Sequence, residues 1–370
     1  MQLLDMSNNF SEIFNVRAIG KNIFVTHSSA LIKYDRPIFE HGNMKRYSSS
    51  NSIIFDYETK GSIHVNLPDL FPIKFVDQFI DIHGQFYIVA TDFMQHTCLF
   101  TSSDRSSYFV SVTCDLAKRT FYNCPILIHP NLPGVIFANI NHHSEETHTH
   151  ISTNDGLTFQ QIKIDNRKSV CVDGFCDTLM NLPCEYISTD HFVKEWFITI
   201  SEHHNLGYDE HIVSYNGGKT FKVFPHSEMD IKSINGGGIT VGFAIISCKI
   251  IYSFDEGKTY YNLTISDKPE IIYKAMTIGK NENERIFIYG RDRDATSLFV
   301  THIDFTYMFK RPCDKTDYTP WTLSRSRGTC FQGQEVFYWK KKINSMCIDT
   351  HAASMNFTKP CPCYIEDFQW

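Results

Sequence analysis

The sequence predicts an all-β fold, a partial Asp-box β-propeller of about five or six four-stranded blades followed by a small disulfide-rich module. Three observations predict it. A turn pattern recurs three times, short β-type runs alternate with polar turns through most of the chain, and cysteines cluster near the carboxyl end. We assign residues 1–309 to the propeller and residues 310–370 to the module.

The repeated pattern is S-x-[DN]-x-G-x-T-[aromatic], the Asp-box, which occurs as STNDGLTF, SYNGGKTF and SFDEGKTY. The Asn or Asp oxygen can accept hydrogen bonds from amides of the turn, and the glycine can adopt the positive φ that the turn requires. We expect the closing aromatic side chain to fold under the turn into the core. Intervals of about 40 to 60 residues between β-rich flanks suit the blades of a propeller. The turn residues are Ser152, Asn154, Gly156, Thr158, Phe159, Ser214, Asn216, Gly218, Thr220, Phe221, Ser253, Asp255, Gly257, Thr259 and Tyr260.

A fourth, degenerate copy begins at Ser102, where SSDRSSYF has Ser106 in place of the glycine. Cys98 and Cys114 lie at equal distances on either side of Ser106. Such positions face each other on an antiparallel hairpin, so a cross-strand disulfide is geometrically possible, with Cys124 as a competing partner.

Short β-type runs between the repeats are predicted strands, and no stretch has a helical period. These runs are 22–26, 52–55, 86–90, 98–100, 134–140, 195–201 and 239–247.

Composition and motifs exclude several classes of function. The hydrophobic fraction of 42% and the charged fraction of 21% are ordinary for a globular protein, and the net charge of −6 gives no reason to propose nucleic-acid binding. The two GKT stretches lack the first glycine of a phosphate loop, so we expect no nucleotide or other cofactor. The basic run Lys340-Lys341-Lys342 is expected to be a solvated surface.

Cysteine usage predicts an oxidising compartment. Five of the 12 cysteines fall in the last 58 residues, a density typical of a disulfide module. Upstream, Cys171, Cys176 and Cys184 predict one local disulfide that involves Cys184, with no second half of a zinc pattern. Three glycosylation sequons begin at Asn9, Asn262 and Asn356, and we expect the last two to lie in lumenal loops.

The first residues do not form a signal peptide, and no apolar run is long enough to span a bilayer. A cysteine module without either feature leads us to expect a partial sequence, attached to a membrane only through a segment absent from this chain. The loop 141–150, NHHSEETHTH, holds four histidines that suit a pH-responsive patch better than a metal site. They are His142, His143, His148 and His150.

Three stretches resemble the sortilin family of sorting receptors. They are YSFDEGKTYYNLTISDKP at 252–269, CDKTDYTPW at 313–321 and PCPCYIEDF at 360–368. An Asp-box, DY-x-x-W and C-P-C in this order, joined by a regular ladder of cysteines, form a specific combination. The resemblance implies a ring of ten blades followed by a module of ten cysteines, of which this chain would hold about half of each.

The resemblance implies two disulfides, Cys313 with Cys347 and Cys330 with Cys361, and leaves Cys363 without a partner. Half a ring implies that upstream segments are missing, that two copies complete one another, or that a smaller ring closes; we expect the first. Family ligands enter the propeller tunnel, where a basic residue can meet a peptide carboxylate, and Arg46 is the candidate for that role.

The resemblance implies a receptor part that binds soluble protein or peptide cargo in the Golgi or endosomal lumen or at the cell surface. Release in acidic endosomes would fit the histidine patch. The first alternative is a sialidase-like glycosidase, which needs an arginine triad and placed carboxylates. Tyr34-Asp35-Arg36-Pro37-Ile38 matches the arginine motif of that class only superficially, so we expect no enzyme. The second alternative is a soluble fragment that transports nothing.

Overall fold

The computed structural model describes residues 13–19, 22–27, 51–56, 62–68, 71, 73–103, 106–118, 123–141, 146–165, 178–184, 191–203, 209–225, 229–277, 284–349 and 356–363. Several of the predicted residues lie outside these ranges and keep the status of predictions. They are Asn9, Arg46, Asp104, His142, His143, Cys171 and Cys176.

The regular secondary structure of the described residues consists of β-strands and two short 3-10 turns at Thr306–Met308 and Lys315–Asp317. No helix in these ranges is long and apolar enough to cross a membrane. The all-β prediction is therefore confirmed. The strands are β1 (Ile13–Ile19), β2 (Asn22–His27), β3 (Asn51–Asp56), β4 (Ser62–His64), β5 (Ile73–Ile82), β6 (Gln85–Asp92), β7 (Thr97–Ser102), β8 (Val110–Thr113), β9 (Ile126–Ile128), β10 (Ile136–Asn141), β11 (Thr147–Ser152), β12 (Gln160–Gln161), β13 (Lys163–Asp165), β14 (Leu179–Met180), β15 (Ile198–His203), β16 (Asp209–Ser214), β17 (Thr220–Val223), β18 (Met229–Ile234), β19 (Ile239–Ala244), β20 (Ile246–Ser247), β21 (Lys249–Ser253), β22 (Tyr261–Thr264), β23 (Glu270–Thr277), β24 (Arg285–Arg291), β25 (Leu298–Asp304), β26 (Tyr318–Trp321), β27 (Gln334–Lys341) and β28 (Asn356–Pro360).

Each run predicted as a strand overlaps an observed one. The run 239–247 is two strands, because β19 pairs with β18 and β21 whereas β20 pairs with β23 of the next sheet. Within the described ranges, six sheets have four or five strands each, as propeller blades do, and a seventh has three. The predicted partial propeller is thereby confirmed.

The chain divides into two compact units. The N-terminal unit contains Met1–Pro125 and Ile140–Glu146, and its described strands form the sheets β1-β2-β3-β4 and β5-β6-β7-β8. Phe79, Phe86 and Phe100 fill the core of the second sheet. A disulfide between Cys98 and Cys114 joins β7 to the residue that follows β8.

The C-terminal unit contains Ile126–Asn139 and Thr147–Phe368. Its four larger sheets have the strand orders β12-β11-β10-β9, β13-β17-β16-β15-β14, β18-β19-β21-β22 and β20-β23-β24-β25. The pair of β13 with β17 is parallel, whereas the neighbouring pairs of β15 with β16 and β16 with β17 are antiparallel. The sheet β26-β27-β28 of the cysteine module belongs to this same unit.

Two hydrophobic clusters hold the C-terminal unit together. The first contains Phe137, Phe197 and Phe221 from the propeller sheets and also Leu323 and Tyr338 from the module. The second joins β18–β21 to β23–β25. Because the module shares the first cluster, apolar burial stabilises it in addition to its disulfides.

Candidate functional site

The three Asp-box turns have one common hydrogen-bond pattern. The serine hydroxyl accepts from the glycine amide, at 2.8 Å for Ser152 and Gly156, 2.9 Å for Ser214 and Gly218, and 3.0 Å for Ser253 and Gly257. The third-position oxygen accepts from the threonine amide, at 3.0, 2.9 and 2.8 Å in the same order. The Asn or Asp oxygen therefore accepts from a turn amide as predicted, and the serine hydroxyl, whose role sequence analysis did not identify, closes the turn with it.

Each turn contains two consecutive residues with positive φ, whereas sequence analysis assigned only one. The glycines have φ of 86°, 87° and 69°, and the residues before them, Asp155, Gly217 and Glu256, have 60°, 73° and 56°. The pattern leaves that preceding position unspecified because Asp, Gly and Glu all occur there, so the sequence carries no signal for it.

The closing aromatic residues are buried to different degrees. Phe221 is fully buried against Phe137, with 6.2 Å between ring centroids, whereas Phe159 and Tyr260 are half-buried. Tyr260 packs on Phe224 at 5.1 Å, and burial raises the pKa of its phenol to about 12. Only in the central turn, therefore, is the closing aromatic residue fully buried in the core as expected.

The cysteine module packs on these turns, which we call the Asp-box face (residues 152–159, 214–221 and 253–260). Lys340 Nζ donates to Tyr215 O at 2.6 Å and lies 2.7 Å from Glu256 Oε1. One side chain of β27 therefore bridges the second and third turns. The prediction of a solvated lysine run is wrong for Lys340, which lies against the Asp-box face, and for Lys341, which is buried.

The first turn contacts the module through a different loop. Arg325 Nη1 donates to Thr153 O at 2.6 Å, and the Ser326 amide donates to Thr153 Oγ1 at 3.2 Å. Asn154 Nδ2 in turn donates to Ser326 Oγ at 3.2 Å. All three Asp-box turns thus have a partner in the module.

An apolar contact at Gly217 lies between these polar ones. A Cβ at that position would fall 2.9 Å from Leu323 Cδ1 and 3.1 Å from Trp321 Cη2, so the close approach requires glycine. Trp321 also meets Trp196 edge to face, with 6.0 Å between ring centroids. The tryptophan of the DY-x-x-W motif therefore anchors the module to the propeller.

The Asp and Tyr of the DY-x-x-W motif order the module itself. Asp317 accepts two hydrogen bonds from the Arg311 guanidinium, at 2.6 and 2.7 Å, and one from the Asp314 amide at 2.8 Å. The Arg311 hydrogen bonds hold the pKa of Asp317 well below its usual range. Tyr318 donates to Asp349, and burial together with this contact raises the pKa of the phenol.

The hairpin turn between β18 and β19 gives the module a further contact. Asn235 Nδ2 donates to Cys347 O at 3.1 Å, and its Oδ1 accepts from the Asp349 amide at 2.6 Å. Lys341 Nζ donates to the same Cys347 oxygen at 2.8 Å, and burial lowers the pKa of this amine to about 8. Gly236 is equally constrained, since a Cβ there would meet Asp349 Oδ2 at 1.7 Å.

A cleft of about 200 Å³ opens where the module meets the turn that follows β9. Leu132, Leu323 and Val336 contribute to its apolar lining, and Tyr338 also lines it, with the hydroxyl donating to Asn131 O at 3.4 Å. The Arg325 guanidinium stacks over Phe331 at 4.2 Å and adds positive charge. The cleft has the chemistry to hold an apolar side chain next to a carboxylate.

Disulfides fix both ends of the module. Cys313 is bonded to Cys347 and Cys330 to Cys361, the two pairs that the resemblance implies, and Cys363 is free and exposed. Cys124 and Cys184 are also disulfide-bonded, and Cys248 is free. Within the described ranges, the cluster Cys313, Asp317 and Cys347 has the spacing of a metal site, but its sulfurs are bonded to each other and offer no thiolate.

Half of the predicted histidine patch lies within the described ranges. His150 is buried on β11 with its Nδ1 3.2 Å from His148 O, and His148 is half-buried. The sequons at Asn262 and Asn356 lie on exposed strands, β22 and β28, and not in the loops that sequence analysis expected. Strand residues alternate in direction, so a sequon in a strand can still be exposed.

The chain is similar to known sorting receptors. A family model described as "Sortilin, neurotensin receptor 3, C-terminal" matches residues 277–369. The VPS10 domain-containing receptor SorCS1 of Mus musculus is 26% identical over 159 residues, 42% of this chain and 14% of that receptor. The Vacuolar protein sorting/targeting protein 10 of Neosartorya fischeri is 21% identical over 298 residues, 73% of this chain and 19% of that protein.

Among solved structures, the β-propeller domain of the Trilobed protease from Pyrococcus furiosus aligns with a TM-score of 0.37 at 7% identity, over 95% of each chain. This chain covers less than a fifth of the length of the two sorting proteins above. The match to the C-terminal model includes the DY-x-x-W motif, both module disulfides and the free Cys363. Residues 277–369 therefore match the C-terminal family of sortilin, and the chain is similar to the VPS10 sorting receptors.

Proposed function

We propose that this chain binds soluble protein or peptide cargo as the lumenal portion of a receptor that moves between Golgi, endosome and cell surface. The receptor names of its relatives support the class of protein. Its disulfides fit a secretory or endosomal lumen or the extracellular face. The sorting route and the cargo-binding residues are what we propose in addition.

The observation that carries the proposal is the cleft between the module and the turn after β9. Its walls come from the module and from the turn after β9, and the Tyr338 hydroxyl joins the two by donating to Asn131 O at 3.4 Å, so the cleft is formed without a ligand. Leu132 and Val336 would contact an apolar side chain of the cargo, and Arg325 would favour a nearby carboxylate. Arg46 stays a second candidate for the carboxylate contact.

The test is uptake by an anchored receptor. The full chain is placed between a cleavable signal peptide and a transmembrane anchor with an endocytic tail, and cells are given a biotin-labelled mixture of secreted proteins. Gln334 is exposed on β27 at the edge of the cleft, so Gln334→Trp should fill the cleft without removing a buried contact. We expect this variant to lose most of the uptake.

Lys342→Trp provides the matched control, because Lys342 is exposed on the same segment outside the cleft. It should take up labelled protein as the unmodified chain does. Uptake equal to that of the anchor alone contradicts cargo binding by this chain. Equal uptake by the Gln334→Trp and Lys342→Trp variants, above the anchor alone, would place the binding site elsewhere on the chain.

A further inference from the structure

The three sheets that carry Asp-boxes end in fourth strands with very different outer edges. β12 is only two residues long, and the outer side of β17 is covered by the parallel strand β13. β22 has four residues, all exposed, and pairs only with β21 among the described strands. An exposed strand edge of this length can pair with another chain unless something blocks it.

The edge of β22 is also apolar. Tyr261 and Leu263 are 47% and 38% exposed, and they alternate with Asn262 and Thr264, which lie on the other face of the strand. Asn262, Leu263 and Thr264 form the sequon. The acceptor amide thus lies on the strand edge that most needs protection.

The module sheet shows the same relationship. Its two edge strands are β26 and β28, and β26 contains Pro320, which cannot donate a ladder hydrogen bond. β28 carries the sequon Asn356-Phe357-Thr358, with Asn356 and Thr358 both exposed. Phe357 faces the other way and stacks on Phe337, with 4.9 Å between ring centroids. Folding therefore leaves the acceptor amide accessible while it half-buries the middle residue of the sequon.

We propose that Asn262 and Asn356 carry N-linked glycans, which shield the exposed edges of β22 and β28 from pairing with other chains. This inference rests on the proposed passage through a secretory lumen. The donor is an oligosaccharide linked to a lipid diphosphate. The asparagine Nδ2 forms a bond to the anomeric carbon of the sugar, the bond from that carbon to the phosphate oxygen breaks, the lipid diphosphate leaves with the electron pair, and the amide gives up one proton.

Site occupancy is tested on the full chain secreted from animal cells behind a cleavable signal peptide. Release of glycans by peptide N-glycosidase in heavy-oxygen water converts each modified Asn to a mass-marked Asp. We expect peptides with a marked residue at both Asn262 and Asn356. An unmarked peptide from secreted, disulfide-bonded protein overturns the assignment at that site.

Variants separate the glycan from the side chain. Thr264→Ala and Thr358→Ala should each lose one glycan although the Asn remains, so glycosidase treatment should shift each variant less on a gel than it shifts the unmodified chain. Thr264→Ser should keep the glycan at Asn262, because serine also completes a sequon. Asn262→Gln loses both glycan and protection, whereas Asn262→Lys loses the glycan but places a charge on the edge. We expect light scattering to show at least a two-fold larger associated fraction for Asn262→Gln than for Asn262→Lys. Equal fractions overturn the shielding role.

Outcomes for the glycans and for cargo binding are independent. Marked sites in a chain that takes up no labelled protein support the glycans and contradict the proposed function. Unmarked sites in a chain that does take up labelled protein contradict the glycans alone.

Discussion

Lys340 Nζ lies 2.7 Å from Glu256 Oε1 while it donates to the backbone oxygen of Tyr215. The lysine belongs to the cysteine module, and its two partners belong to different Asp-box turns. Its side chain is 13% exposed and that of Glu256 is 21% exposed, so water screens this pair less than a surface ion pair. The contact therefore ties two neighbouring Asp-box turns to the module through one side chain.

Lys340→Met should destabilise the C-terminal unit by about 1 to 3 kcal/mol, because the Tyr215 oxygen and the Glu256 carboxylate would lose a partner in a poorly hydrated place. Thermal unfolding under non-reducing conditions, followed by tryptophan fluorescence, measures this loss. Lys315→Met is the control, since Lys315 is exposed and should change stability by less than about 0.5 kcal/mol. Equal effects of the two variants would show that Lys340 does not hold the module.

Ser214→Ala should cost about 1 to 3 kcal/mol, because the buried Gly218 amide would lose its acceptor inside the central Asp-box turn. Hydrogen exchange at Gly218 and Thr220 should speed up before global unfolding is affected. Ser266→Ala, at a half-buried serine outside the Asp-boxes that donates to Lys268 O, provides the control and should leave those amides unchanged. Unchanged protection in the Ser214→Ala variant would mean that the Asn216 side chain alone closes the turn.

Gly236→Ala and Gly328→Ala separate backbone strain from steric conflict. Both glycines have positive φ, 63° and 90°, so each alanine should cost about 1 to 2 kcal/mol for the left-handed conformation. A Cβ at Gly328 meets nothing within 4 Å, whereas one at Gly236 would displace the Asp349 carboxylate from Tyr318. We expect the melting temperature to fall clearly further for Gly236→Ala. Equal falls would show that the Asp349 contact is dispensable.

Much of the fold follows from local signals in the sequence. The Asp-box turn can be predicted because its side chains bond to amides within the same eight residues, and the flanking strands can be predicted from runs of β-branched and aromatic residues. The family motifs likewise indicated a disulfide-rich module. These features need no knowledge of distant contacts.

The burial of the lysine run could not be predicted in this way. Lys340, Lys341 and Lys342 are identical in sequence, and only the docking of β27 decides that the first bridges two turns, the second is buried and the third is exposed. The cleft was missed for the same reason, since Leu132 and Val336 are distant in sequence and no local pattern joins them. Long-range packing overrides local composition at such positions.

Stability of the Asp-box face should be constant between neutral and endosomal pH. Burial opposes the charge of Asp255, but hydrogen bonds from Thr259 and Ser253 outweigh it and hold its pKa below normal, so its stabilising effect is lost only below its unfolded pKa of about 3.9. Burial lowers the pKa of Lys341 to about 8, so this amine is charged throughout the same range. The cost of that buried cation is relieved only as pH rises from about 8 towards its unfolded pKa of about 10.4.

Melting temperatures measured from pH 7 down to pH 3 check this prediction. We expect a flat curve to about pH 5 and a fall below about pH 4, which Asp255→Asn should make shallower because the amide does not titrate. A steep loss of stability between about pH 7 and about pH 5.5 would mean that other groups control the Asp-box face in that range.

The histidine patch is our candidate for a pH switch that would release cargo in acid, because histidine is the side chain that changes charge between neutral and endosomal pH. His148 and His150 lie on β11, the strand that leads into the first Asp-box, and His142 and His143 precede them in the sequence. Replacing all four with Gln should remove most of the difference in uptake between about pH 7 and about pH 5.5, whereas Asp255→Asn should leave that difference intact. An undiminished acid response in the four-Gln variant would exclude the patch as the switch.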